Sequence, residues 1–396
     1  KRTTDHAPLP PSVLVAQLCD YLNAGWQRQR EPTLYPLQPF STRYFIADSG
    51  FHTYANDWQA AHTAVSHDAT TKTPLPTAAE ARWPSQIQSQ QLLRLLRQSV
   101  DVFWVDRLQV QLNVPPADAQ EHEPFSLDGL SQFVLGQDLA LSDDADLAQT
   151  RLRLSGVLAL GGFGEMQMDK LLQARHTLRE RWDALHAQWP HDLPPHSLSL
   201  PLDDGPTLEG QWADQAHPIW RTDATGTQWL QVQFRHGAVT QGSEKKRQPR
   251  LDTLGALWLH HLMACASGTP TTSCLLGLDA MLQLPPLSPT EARAHLHALM
   301  RAWLHAWHAP LLLPRQTACA WLLADPAKAG EHADAVALDA LDKELSQHPG
   351  LQRLVDDPQA VLDTLHTWAS VVYGPIQQHV RIVRTPTHTP TQEEAA

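Results

Sequence analysis

Cysteine is scarce in this sequence, which contains four in 396 residues: Cys19, Cys265, Cys274 and Cys319. The four are far apart and form no C-x-x-C pair. The pattern therefore indicates neither a disulfide framework nor a zinc ribbon. We expect all four thiols to be free and buried.

Long apolar runs are also missing. No stretch reaches the roughly 18 to 20 residues that a membrane span needs, and no charged-then-apolar leader opens the chain. We therefore expect a cytoplasmic location and no membrane partner. The chain begins with Lys1 and a proline-rich run instead of Met, and we interpret it as a piece of a longer protein.

Positive charge is in short supply, with 30 Lys and Arg against 42 Asp and Glu and a net charge of -12. Non-specific affinity for nucleic acid comes from neutralising phosphates, so any DNA contact has to be local. The DNA-binding candidates fall in two groups, a predicted helix and a basic segment: Arg94, Arg97 and Arg107, then Lys245, Lys246, Arg247 and Arg250. The alternatives are a solvated loop for the segment and packing of arginine stems beside an apolar stripe for the helix.

The remaining composition, 42% hydrophobic and 18% charged, is typical of a globular protein with one large domain and a smaller flanking piece. Apolar spacing predicts helices over 12–24, 89–108, 163–189, 251–265 and 289–308. It predicts strands over 197–202, 207–212, 218–221, 229–234 and 273–278, with a further strand and turn in 310–321. We expect the first four strands to form an antiparallel meander. The order indicates an α/β fold with helices packed against a central sheet.

Two patterns invite a chemical interpretation. Gly161, Gly162 and Gly164 stand at the start of a predicted helix like a phosphate-binding turn, but no Lys-Ser or Lys-Thr follows, so a plain turn is favoured. Histidines occur in pairs and groups at positions 260, 261, 295, 297, 305 and 308. Without an H-E-x-x-H motif we expect surface histidines and no metal site. Neither a G-x-S-x-G motif nor a Cys and His signature supports acyl transfer.

Short motifs along the chain resemble, in order, the C-terminal part of the RecC family, the gamma subunits of bacterial exodeoxyribonuclease V. They are PSVLV (11–15), DYL (20–22), LQPFS (37–41), RYF (43–45), residues 93–112, EPF (123–125), LDGL (127–130), GGFGE (161–165), residues 258–268 with CASG, APLL (309–312) and YGP (373–375). The resemblance implies that residues 1–84 end a helicase-like portion and form an extended connector. Residues 85–396 would be a nuclease-like domain of the PD-(D/E)xK type, degenerate and inactive.

The inactivity follows from the residues that the resemblance aligns with a metal centre. Glu165 would stand where active relatives have His, Ala213 where they have Asp, and Gln233 and Arg235 where they have acid-x-Lys. A neutral Gln and an Ala cannot supply the charge that holds a divalent cation, and arginine stays protonated. We expect no catalytic residue and no bound metal, although Asp214 lies one position beyond Ala213.

The resemblance implies a scaffold and DNA-guiding subunit in the processing of double-strand ends for recombinational repair. Its partners would be RecB-like and RecD-like subunits, double-stranded DNA ends and unwound single strands. ATP and Mg²⁺ would be used by the partner subunits, and this chain would bind no cofactor. Two alternatives remain: an active metal-dependent nuclease of the same fold using Asp214, and a pure protein-interaction module, which 14 Trp would suit.

Overall fold

A computed structural model describes residues 12–26, 33–36, 38–46, 49–54, 58, 83–112, 127–142, 144–212, 218–243, 246–324 and 330–383. The chain divides into two compact units, residues 1–79 and 80–396. Within the described ranges, no helix is both long enough and apolar enough to cross a membrane.

The first unit contains helix α1, Val13–Trp26, and a short 3-10 turn, Thr42–Tyr44. The helix predicted over 12–24 is confirmed. Ser12 starts it by accepting a hydrogen bond from the Val15 amide on its Oγ, at 3.4 Å. None of the residues of α1 is buried. Much of the connector predicted between residues 32 and 82 lies outside the described residues.

The second unit contains eleven α-helices and eleven strands within its described ranges. The helices are α2 Ser89–Arg97, α3 Gly129–Leu141, α4 Ala145–Leu154, α5 Gly162–His186, α6 Gly255–Ala266, α7 Pro289–His308, α8 Arg315–Leu323, α9 Gly330–Gln347, α10 Pro349–Leu354, α11 Pro358–Val372 and α12 Gly374–His379. The strands are β1 Gln86–Gln88, β2 His191–Asp192, β3 His196–Pro201, β4 Thr207–Trp212, β5 Ile219–Thr222, β6 Trp229–Phe234, β7 Thr240–Gln241, β8 Gln248–Pro249, β9 Thr271–Leu276, β10 Met281–Leu284 and β11 Arg381–Val383.

The strands form three sheets. A three-stranded sheet has the order β1-β4-β3, a six-stranded sheet has the order β11-β10-β9-β6-β5-β2, and β7 pairs with β8. The expected α/β class is confirmed, but the single meander is wrong, because the β3–β4 and β5–β6 hairpins belong to different sheets. The physical reason is that other strands take the two edges that a meander would join: β1 pairs parallel with β4, and β2 pairs antiparallel with β5.

The six-stranded sheet is covered on both faces, as a sheet with a parallel pair at its centre requires. On one face Leu230 and Val232 of β6 pack with Leu178 and Trp182 of α5. On the other face α6 supplies buried side chains to the largest apolar cluster, which also includes α2 and α7. Strand β6 is therefore central, and its polar side chains are positioned from two sides.

Several other expectations need correction. The helix predicted over 89–108 ends at Arg97, because Gln98 is extended with φ -155 and ψ 101, and a π-helical turn, Val102–Arg107, follows. The apolar run 310–321 contains helix α8 and no strand, because Pro314 ends an extended segment and starts the helix. His261 is fully buried and is not a surface histidine.

The cysteines are free, as predicted, and three of them are buried. Burial raises the pKa of Cys274 to about 12 and raises the pKa of Cys319 further above its ordinary value. The expectation that all four thiols are buried is wrong for Cys19, which is half-buried. It lies on α1, a helix on which no residue is buried. A buried thiol with a raised pKa is unreactive, so these cysteines have a packing role.

Candidate functional site

A cleft of about 1100 Å³ opens on the surface of the second unit. Its walls come from α2, α6 and the strands β3, β4, β5 and β6. The described lining residues are Gln88, Ser89, Gln90, Leu93, Arg94, Arg97, Asp101, Ser197, Glu209, Gly210, Gln211, Trp212, Pro218, Trp220, Gln233, Ala256 and His260. Four glutamines and two arginines are among these residues, so the cleft offers hydrogen bonding and local positive charge.

Helix α2 places the two arginines. Gln90, Arg94 and Arg97 are spaced i, i+4 and i+7, which puts them on one face of the helix. Arg94 forms an ion pair with Asp106, whose side chain is buried, while Arg94 is about one-third exposed. Arg97 is exposed and makes no ion pair or hydrogen bond with any residue in the described ranges. Arg97 is therefore the cation of the cleft that is available to an anionic ligand.

Two carboxylates line the described part of the cleft. Burial raises the pKa of Asp101, opposed by the charges of His348 and Arg94. Glu209 accepts a hydrogen bond from Ser199 Oγ at 2.7 Å. Gln233, half-buried at the end of β6, offers an amide and no charge. The described residues of the cleft do not bring three metal-ligating side chains within reach of one ion, so they do not fit a nuclease magnesium site.

The positions aligned with a metal centre do not all meet in this cleft. Gln233 lines it. Glu165, exposed on the first turn of α5, pairs with Arg153 at 2.9 Å and is not part of the lining. Arg235 is half-buried with its guanidinium 5.1 Å from the centre of the Phe133 ring, and burial lowers its pKa. Ala213 lies outside the described residues, as does Asp214.

The other basic candidates have separate locations. Arg107 donates to the carbonyl oxygens of Trp307 at 2.8 Å and His308 at 2.7 Å, which anchors the π-helical turn to the end of α7. Arg250 pairs with Asp252 at 3.1 Å. Lys246 is exposed and Arg247 is half-buried beside the β7–β8 pair, while Lys245 lies outside the described residues. Of the seven candidates, the structure brings Arg94 and Arg97 into the cleft.

The glycine run before α5 forms a loop-to-helix turn, as predicted. Gly161 has φ +68, a left-handed conformation that favours glycine. A Cβ on Gly164 would lie 1.9 Å from the carbonyl oxygen of Ala159. Close backbone packing therefore accounts for Gly164 without a phosphate.

Sequence reasoning missed the amide and acidic residues of the cleft, among them Gln90, Gln211 and Glu209. For Gln90 a signal existed, because its spacing from Arg94 and Arg97 marks a polar helix face. For Gln211 and Glu209 no signal existed, since the strand pairing that directs β4 toward α2 is a long-range property.

Fold and cleft together define a mixed α/β domain with an arginine- and glutamine-containing cleft in its described part. The family model described as the RecC C-terminal domain matches residues 84–326, more than half of the chain, and the chain belongs to this family. It is 28% identical over 345 residues to the RecBCD enzyme subunit RecC of Escherichia coli strain K12, covering 80% of this chain and 28% of that protein. It is 23% identical over 314 residues to the RecBCD enzyme subunit RecC of Haemophilus influenzae strain Rd, covering 76% of this chain and 26% of that protein. The chain thus spans little more than a quarter of the length of these curated relatives.

Proposed function

We propose that this chain is the C-terminal part of a RecC-type subunit that acts as a non-catalytic scaffold and DNA-guiding element when double-strand ends are processed. Its partners would be RecB-like and RecD-like subunits, which supply the ATP- and Mg²⁺-dependent steps. Membership of the RecC C-terminal family supports the placement in such a complex. The observation that carries the non-catalytic assignment is Gln233, a neutral amide in the cleft at the position aligned with a metal-binding acid.

We further infer a degenerate nuclease-like core. The β5–β6 hairpin, helix α6 and strand β9, which runs parallel to β6, follow one another along the chain in the order strand, strand, helix, strand. Gln233 is near the end of β6, and Arg235 directly follows that strand. Strand β6 pairs with β5 and β9 and not with β4, so the role of Ala213 stays a prediction.

A scaffold needs surface for its partners, and the end of α4 with the start of α5 provides one. Four large apolar side chains there are between 60% and 83% exposed: Leu154, Leu160, Phe163 and Met166. The Arg153–Glu165 ion pair at 2.9 Å shows that the two helix ends lie next to each other, and Phe163 and Met166 are spaced i, i+3 on α5. Exposed apolar groups concentrated in this way mark a protein interaction site. We call them the α4–α5 apolar surface.

The α4–α5 apolar surface also favours the second candidate, a pure interaction module. Arg97 is the feature that distinguishes a DNA-guiding scaffold from a pure interaction module, because an unpaired arginine in a cleft can contact a DNA phosphate. The overall charge of -12 makes such local cations the means by which DNA would be bound.

The scaffold role is tested by reconstituting the complex from the RecC-type subunit with its RecB-like and RecD-like partners. Leu160→Asp with Phe163→Asp is expected to lower co-purification of at least one partner by more than about tenfold, because charges would be buried at an apolar interface. Gln173→Asp, an exposed change further along α5, is the matched control. Retention of both partners by the double variant at the control level would contradict the scaffold role for this surface.

DNA guidance is tested in the same complex with Arg97→Glu. Loss of one phosphate contact is expected to weaken binding of forked DNA and to lower the slope of log affinity against log salt by roughly 0.7 to 0.9. Arg353→Glu, a charge reversal at an exposed position on α10 outside the lining of the cleft, is the control. Unchanged DNA affinity and an unchanged salt slope in Arg97→Glu would favour the pure interaction module.

A further inference from the structure

Two residues one helical turn apart on α7 and the last residue of α12 meet on the surface of the second unit. Glu291 and His295 are spaced i, i+4, which places them on one face of α7. The start of α7 is fixed by Ser288, whose Oγ accepts from the Glu291 amide at 3.2 Å. His379 ends α12 and approaches from the other side.

The ligand atoms of the three side chains converge. One carboxylate oxygen of Glu291 and one ring nitrogen from each of His295 and His379 all lie within 4.8 Å of one another. Nε2 of His379 is 3.5 Å from Oε1 of Glu291. Two ligands of a tetrahedral zinc ion lie about 3.4 Å apart, since each is about 2.1 Å from the metal. One edge of the triangle therefore already has the required length, and side-chain rotation can shorten the others.

The electrostatics suit a cation. Nε2 of His295 is buried and has no hydrogen-bond partner, an unfavourable state for a ring nitrogen. Imidazole binds metal in its neutral form through a ring nitrogen, so a ring nitrogen that has neither water nor a protein partner is available as a ligand.

The two rings are also positioned in advance. Trp258 of α6 stacks on the His379 ring, with centroids 5.9 Å apart and planes 19° apart. The same indole lies 5.7 Å from the His295 ring. A fixed aromatic wall reduces the conformational freedom that the ligands would lose on binding.

We propose that Glu291, His295 and His379 bind one divalent transition-metal ion, with zinc the best match. Two imidazoles and one carboxylate are nitrogen and oxygen ligands that zinc accepts in tetrahedral geometry, with water in the fourth position. The ion would join α12 to α7 and so fix the segment that leads into β11. The sequence predicted surface histidines and no metal here, because the spacing on α7 alone does not show that His379 approaches it.

The untagged full chain, stripped of metal with a chelator, would be titrated with Zn²⁺ by calorimetry and with Co²⁺ by visible absorption. We expect one ion per chain and the strong absorption of tetrahedral Co²⁺. Glu291→Gln, His295→Ala and His379→Ala should each weaken Zn²⁺ binding by more than about tenfold, because even an outer-shell change costs about 10 to 100-fold.

His308→Ala is the matched control, an exposed histidine at the end of the same helix, and should bind Zn²⁺ like the unaltered chain. Glu291→Gln keeps the size and shape of the side chain, so its loss of binding with an unchanged circular dichroism spectrum separates coordination from misfolding. Absence of one-to-one binding, or equal affinity in Glu291→Gln, His379→Ala and His308→Ala, would overturn the proposal.

Discussion

Glu344 of α9 accepts three hydrogen bonds from the first residues of α8. Its Oε2 accepts from the backbone amide of Thr317 at 3.0 Å and from the Thr317 hydroxyl at 3.0 Å, and its Oε1 accepts from the Gln316 amide at 3.3 Å. Both Glu344 and Thr317 are 1% exposed. Helix α8 starts after Pro314, which has no side-chain acceptor, so a carboxylate from another helix satisfies its free amides.

This relationship predicts that Glu344→Gln lowers the free energy of unfolding by about 1 to 3 kcal/mol, because charged hydrogen bonds to a helix N-terminus are lost in a buried place. Urea unfolding of the full chain measures the change as a shift in midpoint at constant slope. Asp342→Asn, an exposed change on the same helix, should stay within about 0.5 kcal/mol. Equal midpoints for the two variants would contradict a capping role.

The turn before α5 gives a second prediction, on the packing of Gly164. Gly164→Ala should destabilise the second unit by about 1 to 3 kcal/mol, because its Cβ would meet the Ala159 carbonyl oxygen and the backbone would have to shift. Gly162→Ala, with nothing within 4 Å of the added Cβ, should be neutral or stabilising by up to about 1 kcal/mol. Thermal unfolding of the two variants measures the difference. An unchanged thermal midpoint in Gly164→Ala would show that the backbone can make room for the added Cβ at no cost, and would contradict this prediction.

Local sequence signals predicted the helices and hairpins well where the residues that start, turn or end the element all lie within it. Helix α7 begins and ends where the sequence predicts, because Ser288, Pro289 and Glu291 form a complete start signal. The β3–β4 and β5–β6 hairpins were predicted to within a residue or two from alternation and turn residues. The run 310–321 was wrong, since a short apolar segment has the same composition as a strand or a buried helix.

Local sequence patterns do not predict which strands pair when those strands are distant in sequence. Nothing in β4 shows that β1 will pair with it, or in β6 that β9 will, so the division into separate sheets could not be predicted. The same limit applies to the cleft. Arg94 and Arg97 were selected as cations, but their common surface with Gln233 depends on how α2 packs. The sequence did not indicate His379 as a possible metal ligand, because its neighbours in space are distant in sequence.

His261 provides a third prediction, on pH. It is buried, and its Nδ1 lies 3.0 Å from Ser273 Oγ, which donates to Gln231 Oε1 at 2.8 Å. Burial, together with the charge of His379, lowers the pKa of His261 to about 3. Its unfolded value is about 6.5. Between about pH 3 and about pH 6.5, the unfolded chain therefore binds a proton on His261 that the folded chain does not bind. The free energy of unfolding should consequently fall as the pH drops from about 6.5 toward about 3.

The contribution of His261 can be isolated from the slope of the free energy of unfolding against pH. One such histidine contributes up to about 1.4 kcal/mol per pH unit within that window, and His261→Gln should remove this part of the slope. His191→Gln, at an exposed position on β2, is the control and should leave the slope unchanged. Urea unfolding at several pH values gives both slopes. A pH dependence identical in His261→Gln and the unaltered chain would contradict the assignment.

The last prediction concerns catalysis. A PD-(D/E)xK nuclease holds Mg²⁺ with carboxylates so that the metal can activate water, and under the proposed alignment Gln233 of the cleft takes the place of one such carboxylate. We expect the purified chain to release no nucleotides from end-labelled linear DNA with Mg²⁺ or Mn²⁺ beyond the level of its Asp214→Ala variant. Asp203→Ala, at an exposed turn position, serves as the control for an unspecific effect. Cleavage that requires metal, persists in Asp203→Ala and disappears in Asp214→Ala would establish an active nuclease instead.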